Sequence, residues 1–235
     1  MNRTMLIVAG AVLVIGVALW LGLRRPRSAV GSYSDVRRRI IDEVAAQPSP
    51  AAPARPANLD TRLPTSTAEE LRRLGPASQA NWKEHSRLYD QVMESIGREL
   101  RAIDPDLDWY QLLSPGRRAV VLIANLENEV SNGGFDQYYL NSSGDGAAAT
   151  PESLRLLGLD QLAEMVEQAN AQFPGGPPSD RRQRLAQLDR LPKTAGKVWD
   201  ELDRRFYDLP GPFGGFAESA GTRYMLAHPA EFFKP

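Results

Sequence analysis

Residues 125–144 read NLENEVSNGGFDQYYLNSSG, a stretch in which amides, carboxylates, glycines and aromatic rings crowd together. An apolar run at helical spacing precedes it, and residues 114–115, Ser-Pro, suit a helix start. This pattern predicts a helix that ends at Gly133, where glycine supplies the left-handed backbone of a helix C-terminus. A short aromatic segment, residues 135–140, and a polar turn, residues 141–146, should follow.

The polar side chains of this stretch have two open interpretations. In the first, amides and carboxylates form a satisfied hydrogen-bond network that ties the helix end to the turn. In the second, Glu127, Glu129 and Asp136 carry out acid–base chemistry in a hydrolase-like enzyme. The candidate residues of a fold-defining or partner-binding motif are Asn125, Glu127, Asn128, Glu129, Asn132, Gly133, Gly134, Phe135, Asp136, Gln137, Tyr138 and Asn141.

The same stretch resembles a known family. The segments NEVSNGGFDQYY (128–139), NSSG (141–144) and TPESL (150–154) are similar to the core of the bacterial nineteen-kilodalton DNA-mimic protein family. The similarity covers about residues 84–233. It implies an all-helical, dimeric, non-enzymatic domain whose acidic surface imitates DNA phosphates. Such a domain would occupy a DNA-binding protein partner and would not contact nucleic acid directly.

Charge is unevenly distributed, which bears on that expectation. Residues 1–80 hold 11 arginines, no lysine and six acidic residues, whereas residues 81–235 hold 17 basic and 23 acidic residues. Spaced carboxylates can meet the lysine and arginine side chains that normally bind phosphate. The carboxylates that charge alone selects for this role are Asp104, Asp106, Asp108, Glu164 and Glu167.

Several other kinds of site find no support in the sequence. The chain has no cysteine, so it has neither disulfides nor thiolate metal sites. His85 and His228 are far apart and lack metal-binding spacing, so no metal and no cofactor is expected. We expect His85 on a helix surface and His228 at a helix end. The run RRQR, residues 181–184, should be a solvated helix face rather than a nucleic-acid patch.

Helical periodicity recurs along most of the chain, and no alternation with period two is present. The fold class should therefore be all-α, without internal repeats. Gly158 should bend or split one of the predicted segments. Helices are predicted over residues 34–47, 66–75, 82–103, 115–133, 150–173, 179–188, 194–207 and 216–227. In the third of these, Leu88, Val92 and Ile96 recur at four-residue intervals and mark the apolar face, and Ser179 is the expected cap of the sixth.

Residues 5–23 are predicted to form a single transmembrane helix. They carry no charge, and nineteen residues at a rise of about 1.5 Å give roughly 28 Å, close to the thickness of a bilayer core. A cleaved signal peptide is the alternative, but no typical cleavage site precedes Arg24. Residues 24–80 should be a basic juxtamembrane segment and a Pro/Ala-rich linker, with five prolines between residues 48 and 64.

A compact multi-helix domain should then occupy residues 81–235. Arginines are more numerous after the apolar segment than before it. The positive-inside rule therefore places this domain in the cytoplasm, with the periplasm as the alternative. The expected location is the inner membrane, with the lipid bilayer as one partner of the chain.

Overall fold

A computed structural model describes residues 33–46, 60–100, 110, 113–211 and 215–235. The chain divides into two compact units, residues 1–46 and 47–235. In the first unit the described element is helix α1 (Tyr33–Ala46). Every regular element within the described ranges is helical, which confirms the all-α prediction for that part of the chain.

The second unit contains a succession of helices that begin and end close to the predicted positions. They are α2 (Thr65–Leu74), α3 (Trp82–Leu100), α4 (Pro115–Leu140), α5 (Thr150–Leu156), α6 (Asp160–Asn170), α7 (Arg181–Leu188), α8 (Lys193–Tyr207), α9 (Gly215–Ala227) and α10 (Pro229–Phe232). A short 3-10 helix, Ser142–Gly146, forms the polar turn after α4. As predicted, Gly158 separates two helices, with a left-handed φ of 75° between α5 and α6.

Helix α4 is the centre of the unit and is packed against most of the others. At its N-terminal end, the amphipathic helix α3 presents Leu88, Val92 and Ile96 at the predicted four-residue intervals. These side chains pack with Leu71 of α2 and Val120 of α4 in one apolar cluster. Burial of this shared face stabilises α2, α3 and α4 as one core, because most of the stability of a helix in a protein comes from the packing of its apolar face.

The C-terminal part of α4 lies in an aromatic cluster. The ring of Tyr139 lies 5.0 Å from that of Trp199 on α8 and 4.8 Å from that of Phe173, which follows α6. Phe135 is also fully buried. Aromatic pairs at these separations add to the energy gained from area burial alone. The aromatic segment of the sequence is therefore the second core of the domain.

Residues 60–64 lie beside residues 232–234. The Leu63 N–H donates to the Phe232 carbonyl at 2.9 Å, and the Lys234 N–H donates to the Leu63 carbonyl at 2.7 Å. The contact is an isolated parallel β-bridge between Leu63 and Phe233. Nearby, the buried Arg117 of α4 donates to the Thr61 hydroxyl at 2.7 Å. The segment before α2 is therefore packed into the same unit as α4.

The prediction of a helix that ends at Gly133, with an aromatic segment after it, is confirmed in part, because the backbone is non-helical at Gly133 and Gly134. The prediction is wrong about which of the two glycines takes the left-handed backbone. The helix bends at Gly133 and Gly134 and continues to Leu140 as the aromatic segment. Gly134, not Gly133, adopts the left-handed backbone, with φ 75° and ψ −174°, whereas Gly133 is extended at φ −164°. The helix resumes after the bend because its aromatic residues pack into a core. In an exposed loop the same residues would remain in contact with water.

The predicted membrane helix, residues 5–23, falls outside the described residues, as does most of the proline-rich linker. Within the ranges that are described, no helix combines the length and the apolar character needed to cross a bilayer. The longest of them, α4, carries Arg117, Arg118, Glu127 and Glu129, which a hydrocarbon core would reject. The prediction of a single-pass inner-membrane protein with a cytoplasmic domain and a bilayer partner is therefore corrected, because no described element supports it.

Candidate functional site

Glu129 is the centre of a hydrogen-bond network within the motif. Its side chain is buried, with 4% exposed. One carboxylate oxygen accepts from the amides of Gln137 and Asn141, both at 2.8 Å, and the other accepts from the Ser143 hydroxyl at 2.8 Å. These donors lie on the resumed helix and the turn that follows it, so Glu129 ties both back to the first part of α4. This arrangement matches the network interpretation of the sequence.

Glu127 has a different structural role. Its two carboxylate oxygens accept from the backbone N–H groups of Phe216 and Ala217, at 2.7 and 2.9 Å. These groups belong to the first turn of α9, where N–H groups lack partners within the helix and the dipole favours negative charge. Gly215 makes the close approach feasible, because a Cβ atom there would lie 2.6 Å from the Glu127 carboxylate. Glu127 therefore caps α9.

These contacts do not favour the acid–base enzyme. A catalytic carboxylate must reach a substrate proton, whereas Glu127 and Glu129 each hold two or more protein donors. Asp136 is half-buried on the resumed helix. Among the described residues, no three His, Asp or Glu side chains are grouped as a metal ion would require.

The remaining motif residues divide between surface and core. Asn128 and Asn132 are exposed, and the Asn132 amide donates to the Asn128 carbonyl at 2.7 Å, as the four-residue spacing suggested. Asn125 is half-buried on the same helix. Tyr138 is fully buried, and its hydroxyl lies 2.9 Å from that of Thr150. Burial raises the pKa of Tyr138 well above its ordinary value, so the phenol stays neutral.

Arg184 is fully buried, so the expectation of a solvated face over residues 181–184 is wrong for this residue. Its guanidinium forms an ion pair with Asp145 at 2.5 Å. It also donates to the carbonyls of Tyr139 and Asn141, at 2.9 and 3.0 Å, and to the loop before α7. A guanidinium has five donors, and here they join the end of α4, the 3-10 helix and α7. The neighbouring Arg181 also donates to the backbone, at the Leu140 carbonyl.

The kink at Gly134 places Asp136 of the motif near two carboxylates of α8, Asp200 and Asp203. The Phe135 N–H, exposed by the break at Gly134, donates to Asp203 of α8 at 2.9 Å. Burial raises the pKa of Asp203, the Phe135 N–H opposes that rise, and the negative charges of Asp200 and Asp136 add to it. We call Asp136, Asp200 and Asp203 the kink carboxylates. Sequence reasoning included only Asp136, because its neighbours are on a helix more than sixty positions away.

The carboxylates selected by charge alone fall into two groups. Asp104, Asp106 and Asp108 lie outside the described residues. Glu164 and Glu167 are exposed on α6, as a charged surface would require. Glu167, however, forms a two-pronged ion pair with Arg155, at 2.8 and 2.7 Å, which neutralises it locally.

The two histidines differ in environment. His85 was expected on a surface, but it is 1% exposed, because its Nδ1 pairs with Glu218 of α9 at 2.5 Å. His228 is exposed and stands at the N-terminus of α10, as predicted, with its ring stacked on Tyr224. The His85 contact had no signal in the sequence, since its partner is 133 residues away.

Comparison with known proteins agrees with the resemblance seen in the motif. The family model described as DMP19-like protein matches residues 111–226, from just before α4 to the end of α9. No significant similarity to a curated protein or to a solved structure was found. The matched range includes the whole motif, Arg184 and the kink carboxylates. Residues 111–226 are therefore similar in sequence to the DMP19-like family.

Proposed function

We propose that the C-terminal domain is a non-enzymatic binding domain that occupies a DNA-binding protein by presenting carboxylates in place of phosphates. Its DMP19-like sequence is one source of support, through the DNA-mimic family that the motif resembles. The observation that carries the proposal is the group of kink carboxylates. The hydrogen bond from the Phe135 N–H holds Asp203 next to the kink, where the negative charges of Asp136 and Asp200 repel it.

One of the kink carboxylates is fixed by a backbone hydrogen bond rather than left on a flexible surface chain. Asp203 is oriented by the Phe135 N–H, and the bend at Gly134 provides that donor. Asp200 is exposed one turn away on α8. Carboxylates that are oriented before binding lose little conformational entropy when they meet the cationic side chains of a partner. This arrangement suits recognition of a surface that normally holds phosphates.

Two of the three motif carboxylates invoked for catalysis have other roles, which further favours binding over catalysis. Glu127 caps α9 and Glu129 holds the turn after α4, and both roles are structural. A homodimer, implied by the same family resemblance, is part of the proposal. Light scattering of the full chain checks that component.

The experiment is a binding assay between the full chain and proteins enriched on a DNA column from the source cells. Captured proteins are eluted in steps of salt, and 20-bp duplex DNA is added as a competitor. Duplex DNA should displace the partner, and binding should weaken steeply with salt, because exposed charge pairs are screened over about 10 Å at 0.1 M. Binding that is unaffected by both treatments would refute mimicry.

Variants locate the surface. Replacing Asp136 and Asp200 by Asn should weaken binding about fivefold to thirtyfold, if each of the two carboxylates contributes about 0.5–1 kcal/mol to the interface. The matched control replaces Glu69 and Glu84 by Gln, which removes the same charge from exposed positions on α2 and α3. Equal losses in both variants would assign the effect to net charge and would exclude the kink carboxylates as the binding surface.

A further inference from the structure

A cavity of about 400 Å³ lies where α2, α3 and α9 meet, on residues that the proposed binding surface does not use. Two arginines, Arg72 and Arg223, line it together with His85, Ser219, Thr222 and Leu226. The volume is that of a site for a small organic molecule. We call it the arginine cavity.

The arginine cavity carries uncompensated positive charge. None of its lining residues is acidic. Arg223 uses one nitrogen to donate to the Leu157 carbonyl at 2.9 Å, and neither Arg72 nor Arg223 is paired with a carboxylate among the described residues. Two guanidinium groups on one cavity wall attract an anion, and phosphates and carboxylates fit their planar donor geometry.

A buried hydroxyl supplies the second, independent observation. Thr222 is 5% exposed, and its hydroxyl has no hydrogen-bond partner among the described residues. Buried polar groups in proteins are nearly always hydrogen-bonded, so an unpartnered hydroxyl on a cavity wall points to a ligand that completes it. Thr222 and Arg223 both line the arginine cavity, so the same ligand can meet both.

His85 provides an oriented group on the same wall. Glu218 holds its Nδ1 at 2.5 Å, and the other Glu218 oxygen accepts from the Ser86 hydroxyl at 2.8 Å. The Glu218 carboxylate is thus engaged, and Nε2 is the ring nitrogen left for a ligand. No hydrogen bond joins His85 to Ser219 or Thr222 in the described structure. The wall therefore lacks an activated hydroxyl nucleophile and suits binding rather than hydrolysis.

We propose that the arginine cavity binds a small organic anion, with its phosphate or carboxylate held by Arg72 and Arg223 and its apolar body against Leu226. The hydroxyl of Thr222 and the imidazole of His85 then meet polar groups of the ligand. This inference is independent of the proposed partner, because none of the kink carboxylates lines the cavity.

The test titrates phenyl phosphate, benzoate and the neutral benzyl alcohol into the full chain, followed by backbone amide NMR. Saturable shifts at Ser219, Thr222 and Arg223 with phenyl phosphate or benzoate are the expected result, and which of the two binds more tightly identifies the anion. Benzyl alcohol should bind at least about tenfold more weakly, because it lacks the charge-assisted bonds. Absence of saturable binding by both anions, or equal binding of the neutral alcohol, would overturn the proposal.

Replacing Arg72 and Arg223 by Gln should weaken anion binding about tenfold or more. The matched control replaces Arg73 and Arg190, which are exposed and do not line the cavity, and it should bind as the wild type does. Should the first variant fail to fold, Thr222→Val keeps both arginines and should still weaken binding about threefold. Unchanged anion affinity in the folded arginine variant, or in Thr222→Val where the arginine variant does not fold, sinks the assignment.

Discussion

Replacing Gly134 by Ala should destabilise the domain more than a typical surface substitution does. Gly134 has φ 75° and ψ −174°, a backbone region that residues with a Cβ atom scarcely enter. Forcing alanine there costs about 1–3 kcal/mol in backbone strain. The new Cβ would also clash with Oδ2 of Asp203 and lie 2.7 Å from its Cγ, so the bond from the Phe135 N–H to Asp203 would be lost. That loss adds about 1–2 kcal/mol.

The expected total for Gly134→Ala is about 3 kcal/mol. Urea unfolding followed by far-UV circular dichroism measures it. With a slope of about 2 kcal/mol/M, the midpoint should fall by about 1.5 M. The matched control is Gly133→Ala, because φ at Gly133 is −164° and its Cβ would meet mainly the Gln137 side chain, which disturbs at most one bond to Glu129. It should cost less than half as much.

A double variant separates the two contributions to that loss. In Gly134→Ala with Asp203→Ala, the clash is removed while the left-handed backbone requirement stays. Relative to Asp203→Ala alone, the added alanine should therefore still cost about 1–3 kcal/mol. If Gly134→Ala lowered the free energy of unfolding by less than about 0.5 kcal/mol in the wild-type background, the fold would not require the left-handed kink.

Three further predictions concern buried polar groups. Arg184→Lys keeps the charge beside Asp145 but loses the planar fork, so unfolding in urea should show a loss of about 3 kcal/mol, whereas the exposed Arg182→Lys should stay within about 0.5. Burial raises the pKa of Asp203 above 3.8, so the neutral side chain is favoured in the folded state. Its contribution to the free energy of unfolding is therefore fully present at low pH and is lost as pH rises through the pKa of the folded state. Asp203→Asn should remove that loss, so urea midpoints from about pH 3 to pH 7 should fall less with rising pH than in the wild type, and parallel curves would contradict the assignment. Thr222→Val should raise the free energy of unfolding by about 1 kcal/mol by removing an unpartnered hydroxyl, and a destabilised variant would mean that the hydroxyl is satisfied.

Local patterns in the sequence predicted the helices well, because periodicity reflects which side chains each helix must bury. The spacing of Leu88, Val92 and Ile96 correctly indicated both the helix and its buried face. Capping residues were less certain, since adjacent polar residues compete for the same position. Ser179 was expected to cap α7, but Asp180 does so, accepting from the Gln183 N–H at 2.7 Å.

Contacts between distant residues could not be predicted in the same way. Nothing near Arg184 in sequence indicates that the backbone carbonyls of Tyr139 and Asn141 would surround it. A run of arginines has the composition of a solvated face. Arg184 is buried because the segment after α4 folds over it and offers backbone carbonyls to its guanidinium. The pairing of Asp203 with the Phe135 N–H likewise depends on a kink that propensity places one residue too early.

The β-bridge between Leu63 and Phe233 has a practical consequence for shortened forms of this protein. A fragment that begins at residue 81 would lose that pairing and would also remove Ala68 and Leu71, uncovering the apolar side of α3 to water. Such a fragment should aggregate or unfold at a lower temperature than the full chain. Binding data collected on it would then describe a partly unfolded domain. Cutting at residue 60 instead retains both partners of the bridge.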